Sequence, residues 1–522
     1  MNHRNYQTNP FPIPNRKKTR LMSLPKTNPI RSRPVPLSRM HSLHHSVCGI
    51  LPDMRMLAAA ILFAATLAAQ DDSLGELASR ARAAPPEFAA DLLIQLAGRS
   101  ESPVERRIEW LEDAFRLAAV ARRKMPAAPD MGAGLFQFTS NLLERPRISQ
   151  HPGLDTLTLQ SRAVEGLLPL DRERAMILFR SIPLAEPAPS STCDASTGDL
   201  TAYYLAAEAA YKKGFTAEER ADGRDLDFLI ALVSGSKSSA GLGGIMNFFR
   251  LPLDDAAYQR LLSAFTTALR VTRAEDSIFG VNITNALIQV IDRAQEHRAS
   301  VFPLLAAVRE FLVRSLSGAR CAPPLPPDAA MPMEAEWFND TLLSYGGNDT
   351  AQIRPIEARE VQPREPRANA ALSVARPSED AAGLAESARR LGAQPKGDRG
   401  APPFEDTVRD LLRQINQWRR DHSEPETLYV TMAAGMYRQI ATIVTSDTLR
   451  RAAIRDHLDL LRRTPLREQV PQAWATEVDD LLSAVQVNDV DLDWFREELR
   501  ASGDPVMPLL MECRELLAMP KI

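Results

Sequence analysis

Apolar residues recur along this chain at spacings of three and four, the period of a helix that buries one face. Val104, Ile108, Leu111 and Phe115 form the first such stripe, and Tyr258, Leu261, Leu262, Phe265 and Leu269 repeat it. Val301, Leu304, Leu305, Val308, Phe311 and Leu312 follow, with Gly318 just beyond the end of their helix. In the last third, Val408, Leu411, Leu412, Ile415 and Trp418 make another stripe. Leu428, Met432, Met436 and Ile440 make the next, after a candidate cap at Ser423, and Leu449, Ile454, Leu458 and Leu461 a less regular one. Final helices are predicted near 467–485, 491–502 and 505–517. Glu105, Arg106, Glu109, Glu112 and Arg116 fall mostly off the first stripe and so face water. Ser102-Pro103-Val104-Glu105 reads as a capping box with Pro at the first helical position. Nowhere do two alternating strand-like runs meet at a hairpin turn. The fold class expected is all-α.

Short turns separate most of these helices, which makes consecutive helices antiparallel neighbours. Such hairpins build either an α-solenoid-like stack or a multi-helix bundle, and both stay open here. The clearest hairpin is 154–183, where Ala163, Asp171, Ala175, Leu178, Phe179 and Pro183 resemble the second half of a tetratricopeptide-like or pentatricopeptide-like unit. The resemblance covers about thirty residues and does not recur at a fixed period, so it is read as hairpin packing and not as a repeat family. After Leu316 the composition shifts. Residues 318–333 are Pro-rich, and 344–403 carry Gly, Pro, Arg and Ala with few large apolar side chains. A chain of that kind buries little. The expectation is an N-terminal helical domain over 71–317 and a smaller C-terminal one over 403–519. Between them lies a largely disordered linker, 318–402, with a short helix at 334–343 and a weak one near 378–392.

Composition supports helix: aromatics are 6% of the 522 residues, and strands favour aromatic and β-branched side chains. Leu57–Ala69 is the longest uncharged apolar run. At about a dozen residues it is short for a bilayer span, which takes roughly 20. It suits a signal-peptide core, with Arg55 before it and small residues at Ala68 and Ala69. Residues 54–69 are therefore read as a secretory signal, implying an exported chain that meets the membrane only through this segment if it stays uncleaved. Residues 1–53 are basic and irregular. Three readings stand open: a start assigned too early, with the true one at Met54 or Met56; a transit peptide; or a disordered basic tail. Residues 1–69 hold ten of the 63 Lys and Arg and one of the 66 Asp and Glu, so the remainder carries a formal charge near −12. That balance argues against a nucleic-acid partner, which calls for a basic face. Beyond the signal, Cys193, Cys321 and Cys513 remain. In an oxidising compartment Cys193 and Cys321, both in polar or Pro-rich loops, are the candidate disulfide. Cys513, in an apolar helix, reads as a small buried hydrophobe.

Three motifs bear on chemistry. Gly132-Ala133-Gly134-Leu135-Phe136-Gln137 resembles the Gly-Leu-Met-Gln turn of lytic transglycosylases. Those enzymes place a catalytic Glu about a dozen residues earlier, where this chain has Ala118–Arg123 and no acid. Ser234-Gly235-Ser236-Lys237 has the Ser-x-x-Lys spacing of penicillin-recognising enzymes but lacks their companion Ser-Asp-Asn and Lys-Thr-Gly elements. Gly241, Gly243 and Gly244 follow no predicted strand and precede no Gly-Lys-Ser/Thr, so they make no phosphate cradle. His151, His297, His422 and His457 form no metal-ligand cluster. Asp421-His422 and Asp456-His457 are adjacent on helices and do not face each other, so each reads as solvated or capping. Asp254-Asp255 suits a helix N-terminus, and Asp479-Asp480 sits in a helix. Asn282, Asn339 and Asn348 begin sequons that matter only on a eukaryotic secretory route. No cofactor or metal is expected, and no catalytic residue is assigned. The function expected is a non-enzymatic, exported scaffold for protein or peptide. The alternative is a helical hydrolase of cell-wall or other extracytoplasmic polymer.

Overall fold

The computed structural model describes residues 73–99, 101–121, 153–183, 200–237, 241–272, 281–317, 331–345, 353–361, 378–394, 399, 402–420, 426–488 and 490–518. Among them every regular element is helical and no strand occurs, so the fold is all-α. Residues 73–81 are helical and lead into α1, Pro86–Ala97, and α2, Val104–Val120. Then come α3 (Thr156–Leu167), α4 (Arg172–Ser181), α5 (Thr201–Lys213), α6 (Ala217–Ala221), α7 (Arg224–Gly235) and α8 (Leu242–Met246). A 3₁₀ turn, Asn247–Arg250, joins α8 to α9 (Asp255–Val271), which is followed by α10 (Val281–Glu296), α11 (Phe302–Ser317) and α12 (Met333–Ser344). The rest are α13 (Glu379–Gly392), α14 (Pro402–Gln417), α15 (Glu426–Ile443), α16 (Asp447–Arg463), α17 (Leu466–Gln469), α18 (Pro471–Val487), α19 (Leu492–Ser502) and α20 (Met507–Ala518).

Most helices that touch are neighbours or next-but-one neighbours in sequence, with contacts three apart between α5 and α8, α15 and α18, and α16 and α19. α3 packs on α2 and α5, α7 on α5 and α9, and α9 on α11, while α8 packs on α10 and α10 on α12. Towards the C-terminus α13 packs on α15, α14 on α16, and α16 on α18 and α19. α1 also lies against α20. One cluster of buried side chains runs from Leu74 to Cys513.

Most predicted stripes are buried as whole faces: Tyr258 to Leu269 on α9, Val408 to Trp418 on and just after α14, and Leu428 to Ile440 on α15. The first stripe is shifted. Val104 is 45% exposed, and the face that packs is Trp110, Leu111, Ala114, Phe115 and Ala118. The capping box is absent, because the helix begins at Val104 and Pro103 takes the cap position in an extended conformation. Ser102 is thus one residue too early to cap, and its buried hydroxyl has no hydrogen-bond partner. Asp155 and Asp171 do cap, each accepting from the backbone three residues on, which fixes the α3–α4 hairpin.

Inside the Pro/Gly-rich stretch 318–402, α12 and α13 occupy the two places predicted for helices. α13 buries Ala381, Leu384, Ala385, Ala388 and Leu391 and packs on α14 and α15. At these residues the stretch is packed helix and not linker, because closely spaced Ala with two Leu lets a helix sit flush without large side chains. The signal segment, residues 1–53, Cys193, Cys321, His151, His422, Ser423 and Gly132–Gln137 lie outside the described residues. No helix among the described residues is long and apolar enough to cross a membrane.

Candidate functional site

A half-open cleft of about 210 Å³ lies where the 3₁₀ turn meets the C-terminal half of α10. Met246, Phe249 and Val290 form its apolar floor, and Arg250, Gln289, Asp292, Arg293 and Glu296 its polar wall. The floor is rigid. Phe249 packs edge-on against Tyr258 and Phe265, and the Tyr258 hydroxyl donates to the Val290 carbonyl at 2.9 Å. Helical spacing then puts Gln289, Asp292, Arg293 and Glu296 side by side along α10.

The wall charges are held by partners. Arg293 donates to Glu296 at 3.0 Å and reaches the Arg250 carbonyl at 3.5 Å. Asp292 accepts from the Tyr345 hydroxyl, and burial together with that carboxylate pushes the phenol up to about 12. Arg250 is different. Its Nε and Nη2 both donate to the neutral Gln289 Oε1, and no carboxylate among the described residues pairs with it.

At the cleft's rim, His297 Nδ1 lies 2.9 Å from Asp255 Oδ1, and the imidazole stacks on Tyr258 at 4.3 Å. The pair ties the start of α9 to the end of α10. Arg298 follows with φ of 51°, the left-handed position of a helix stop, and the Ala299 N–H closes the turn on the Ala294 carbonyl. Spacing alone could not reveal a contact between residues 255 and 297.

A second polar cluster is mostly buried. Arg438 on α15 pairs with Glu477 and, at 3.2 Å, with Asp480, both on α18. Glu477 also hydrogen-bonds to Thr431; burial raises its carboxyl, and Arg438 opposes that rise. His457 on α16 lies in the same interior. It is 1% exposed, Nε2 has no hydrogen-bond partner, and burial together with the Arg438 charge holds its pKa well below 6.5. The reading of His457 as solvated or capping is therefore corrected. Position 457 continues the buried face of Ile454, Leu458 and Leu461, while Asp456 points elsewhere and accepts from Asn416 at 2.8 Å.

An acid slope follows from His457. The imidazole is neutral in the folded protein, whereas in the unfolded chain it takes a proton below about 6.5. The unfolded state then binds more protons, so stability contributed above pH 6.5 is lost as pH falls, by up to about 1.4 kcal/mol per pH unit. His457→Leu is expected to flatten this part of the profile. Urea unfolding from pH 7.5 to 5 checks it, and equal slopes for both proteins would remove His457 from the account.

Several other polar residues have structural places. Ser234 is exposed at the end of α7, whereas Ser236 is buried and hydrogen-bonded with Tyr204. Gly241 and Gly244 serve packing, since a Cβ at either would fall within 2.8 Å of the Tyr204 side chain, whereas Gly243 has open space around it. Asp254 caps α9 through the Ala257 N–H, as its position suggested. Cys513 is buried and unpaired, and burial, Asp91 and Asp479 push its thiol up to about 12. No group of three or more His, Cys, Asp and Glu placed to hold a metal occurs among the described residues. No protein-family model matches the chain, and no curated protein matches it either.

Proposed function

We propose that this chain is a non-enzymatic helical scaffold that binds protein or peptide, with the cleft beside α10 as its recognition site. The observation that carries the reading is the cleft's make-up: an apolar floor beneath a wall of amide, guanidinium and carboxylate groups already oriented by partners. Peptides offer apolar side chains together with both donors and acceptors, and preordered polar groups match them at low entropic cost. The predominance of neighbour and next-but-one packing supports a solenoid-like arrangement, and such arrangements present extended binding surfaces. The apolar segment 57–69 supports work outside the cytoplasm.

The His297–Asp255 pair beside the cleft favours a second reading, a hydrolase of extracytoplasmic polymer. Selection of the full chain against a random peptide library separates the two. A reproducible consensus is expected. No enrichment over an unrelated helical protein sinks the scaffold reading, and polymer hydrolysis abolished by His297→Ala would put the hydrolase in its place.

A further inference from the structure

We propose that the cleft takes the carboxylate end of a peptide whose last side chain is aliphatic, and that Arg250 is the carboxylate's partner; this rests on the peptide-binding reading above. Arg250 sits on the wall with one edge of its guanidinium, Nε and Nη2, fixed by Gln289. A neutral amide orients that group without neutralising it. The edge bearing Nη1 makes no hydrogen bond among the described residues, and a guanidinium fork of this kind matches the two oxygens of a carboxylate.

The remaining wall decides which anion fits. Asp292 and Glu296 stand on the same helix as Arg293, so a doubly charged phosphate would meet two carboxylates. A singly charged carboxylate meets Arg250, and the amide N–H that precedes it in a peptide finds acceptors in those two acids. The floor of Met246, Phe249 and Val290 lies beneath, suited to one apolar side chain. A cleft of about 210 Å³ holds a chain end better than the middle of a chain with side chains on both sides.

Acetyl-Ala-Ala-Leu with a free carboxylate, the same peptide amidated, and acetyl-Ala-Glu-Ala-amide are the probes, titrated calorimetrically into the full chain. The free acid is expected to bind about tenfold or more tighter than the amide, the range of one charge-assisted hydrogen-bond pair. Acetyl-Ala-Glu-Ala-amide tests a side-chain carboxylate as the source, and its equal binding would overturn the chain-end assignment. Arg250→Gln should remove the difference between acid and amide. Arg250 is exposed, so circular dichroism of this variant should match the parent. Equal binding of acid and amide by the parent, or an undiminished preference in Arg250→Gln, would overturn the proposal. A library consensus with no acid preference would sink the cleft assignment alone, and no consensus at all would sink the scaffold reading first.

Discussion

Arg438→Met is expected to destabilise the protein by about 3–5 kcal/mol, the cost of leaving one member of a buried ion pair uncompensated. Arg438 is 8% exposed and Glu477 5%, and they meet between α15 and α18. Asp480 is more accessible, with a side chain 24% exposed, so water can take over its part. Glu477 has only the Thr431 hydrogen bond to fall back on. Without the guanidinium, burial and the neighbouring Asp480 carboxylate act against the Thr431 hydrogen bond alone, and the carboxyl then holds a proton to higher pH than in the unfolded chain. A folded-state pKa raised in this way makes the variant gain stability as pH falls towards 4.5, opposite in sign to the His457 effect. Replacing both partners, Arg438→Met with Glu477→Met, should recover most of the loss, because neither charge is then desolvated. Urea midpoints of the two single variants and the double variant, at pH 7 and 5, measure all of this. A single-variant loss under about 1 kcal/mol, typical of exposed pairs, would show that water reaches the pair.

This ion pair marks where sequence reading stopped short. The stripe of Leu428, Met432, Met436 and Ile440 predicts α15 and its buried face, and the structure buries all four. Yet α15 carries a single cation after Glu426, and that cation sits two residues past Met436 in an otherwise apolar helix. A charge so placed must find a partner inside, but which acid it finds depends on how α18 crosses α15, and spacing does not encode that. The buried place of His457 is legible in the sequence: it follows Ile454 by three and precedes Leu461 by four, the same rule that marks its neighbours as core. Ser102 fails for a different reason. Its motif is right, but the extended Pro103 starts the helix one residue later than the capping spacing needs. The cleft was not legible at all. Arg250 and Gln289 are brought together by α8 packing on α10, and each looks in isolation like an ordinary surface residue.

Trp474→Ala is expected to cost about 3–5 kcal/mol, the range for truncating a fully buried Trp. The indole is 0% exposed and donates to the Leu461 carbonyl at 3.0 Å, and Arg467 lies over its ring at 5.9 Å. On its other side is the Phe88 ring of α1, edge-on at 5.4 Å. This aromatic pair spans 386 positions and joins the segments on either side of the Pro/Gly-rich stretch. The join is reinforced nearby, where Cys513 lies 3.7 Å from Gln95, and Gln95 in turn donates to the buried Asp91. Trp474→Phe should cost less than Trp474→Ala, since it keeps a ring against Phe88 and loses mainly the indole N–H bond. A double-mutant cycle of Phe88→Ala with Trp474→Ala isolates the pair, with an expected coupling of about 0.5–1.5 kcal/mol. Segments 71–317 and 403–519 that fold independently in solution would give a coupling of zero and two separable unfolding transitions. A coupling in the expected range means that α1 and α18 unfold together.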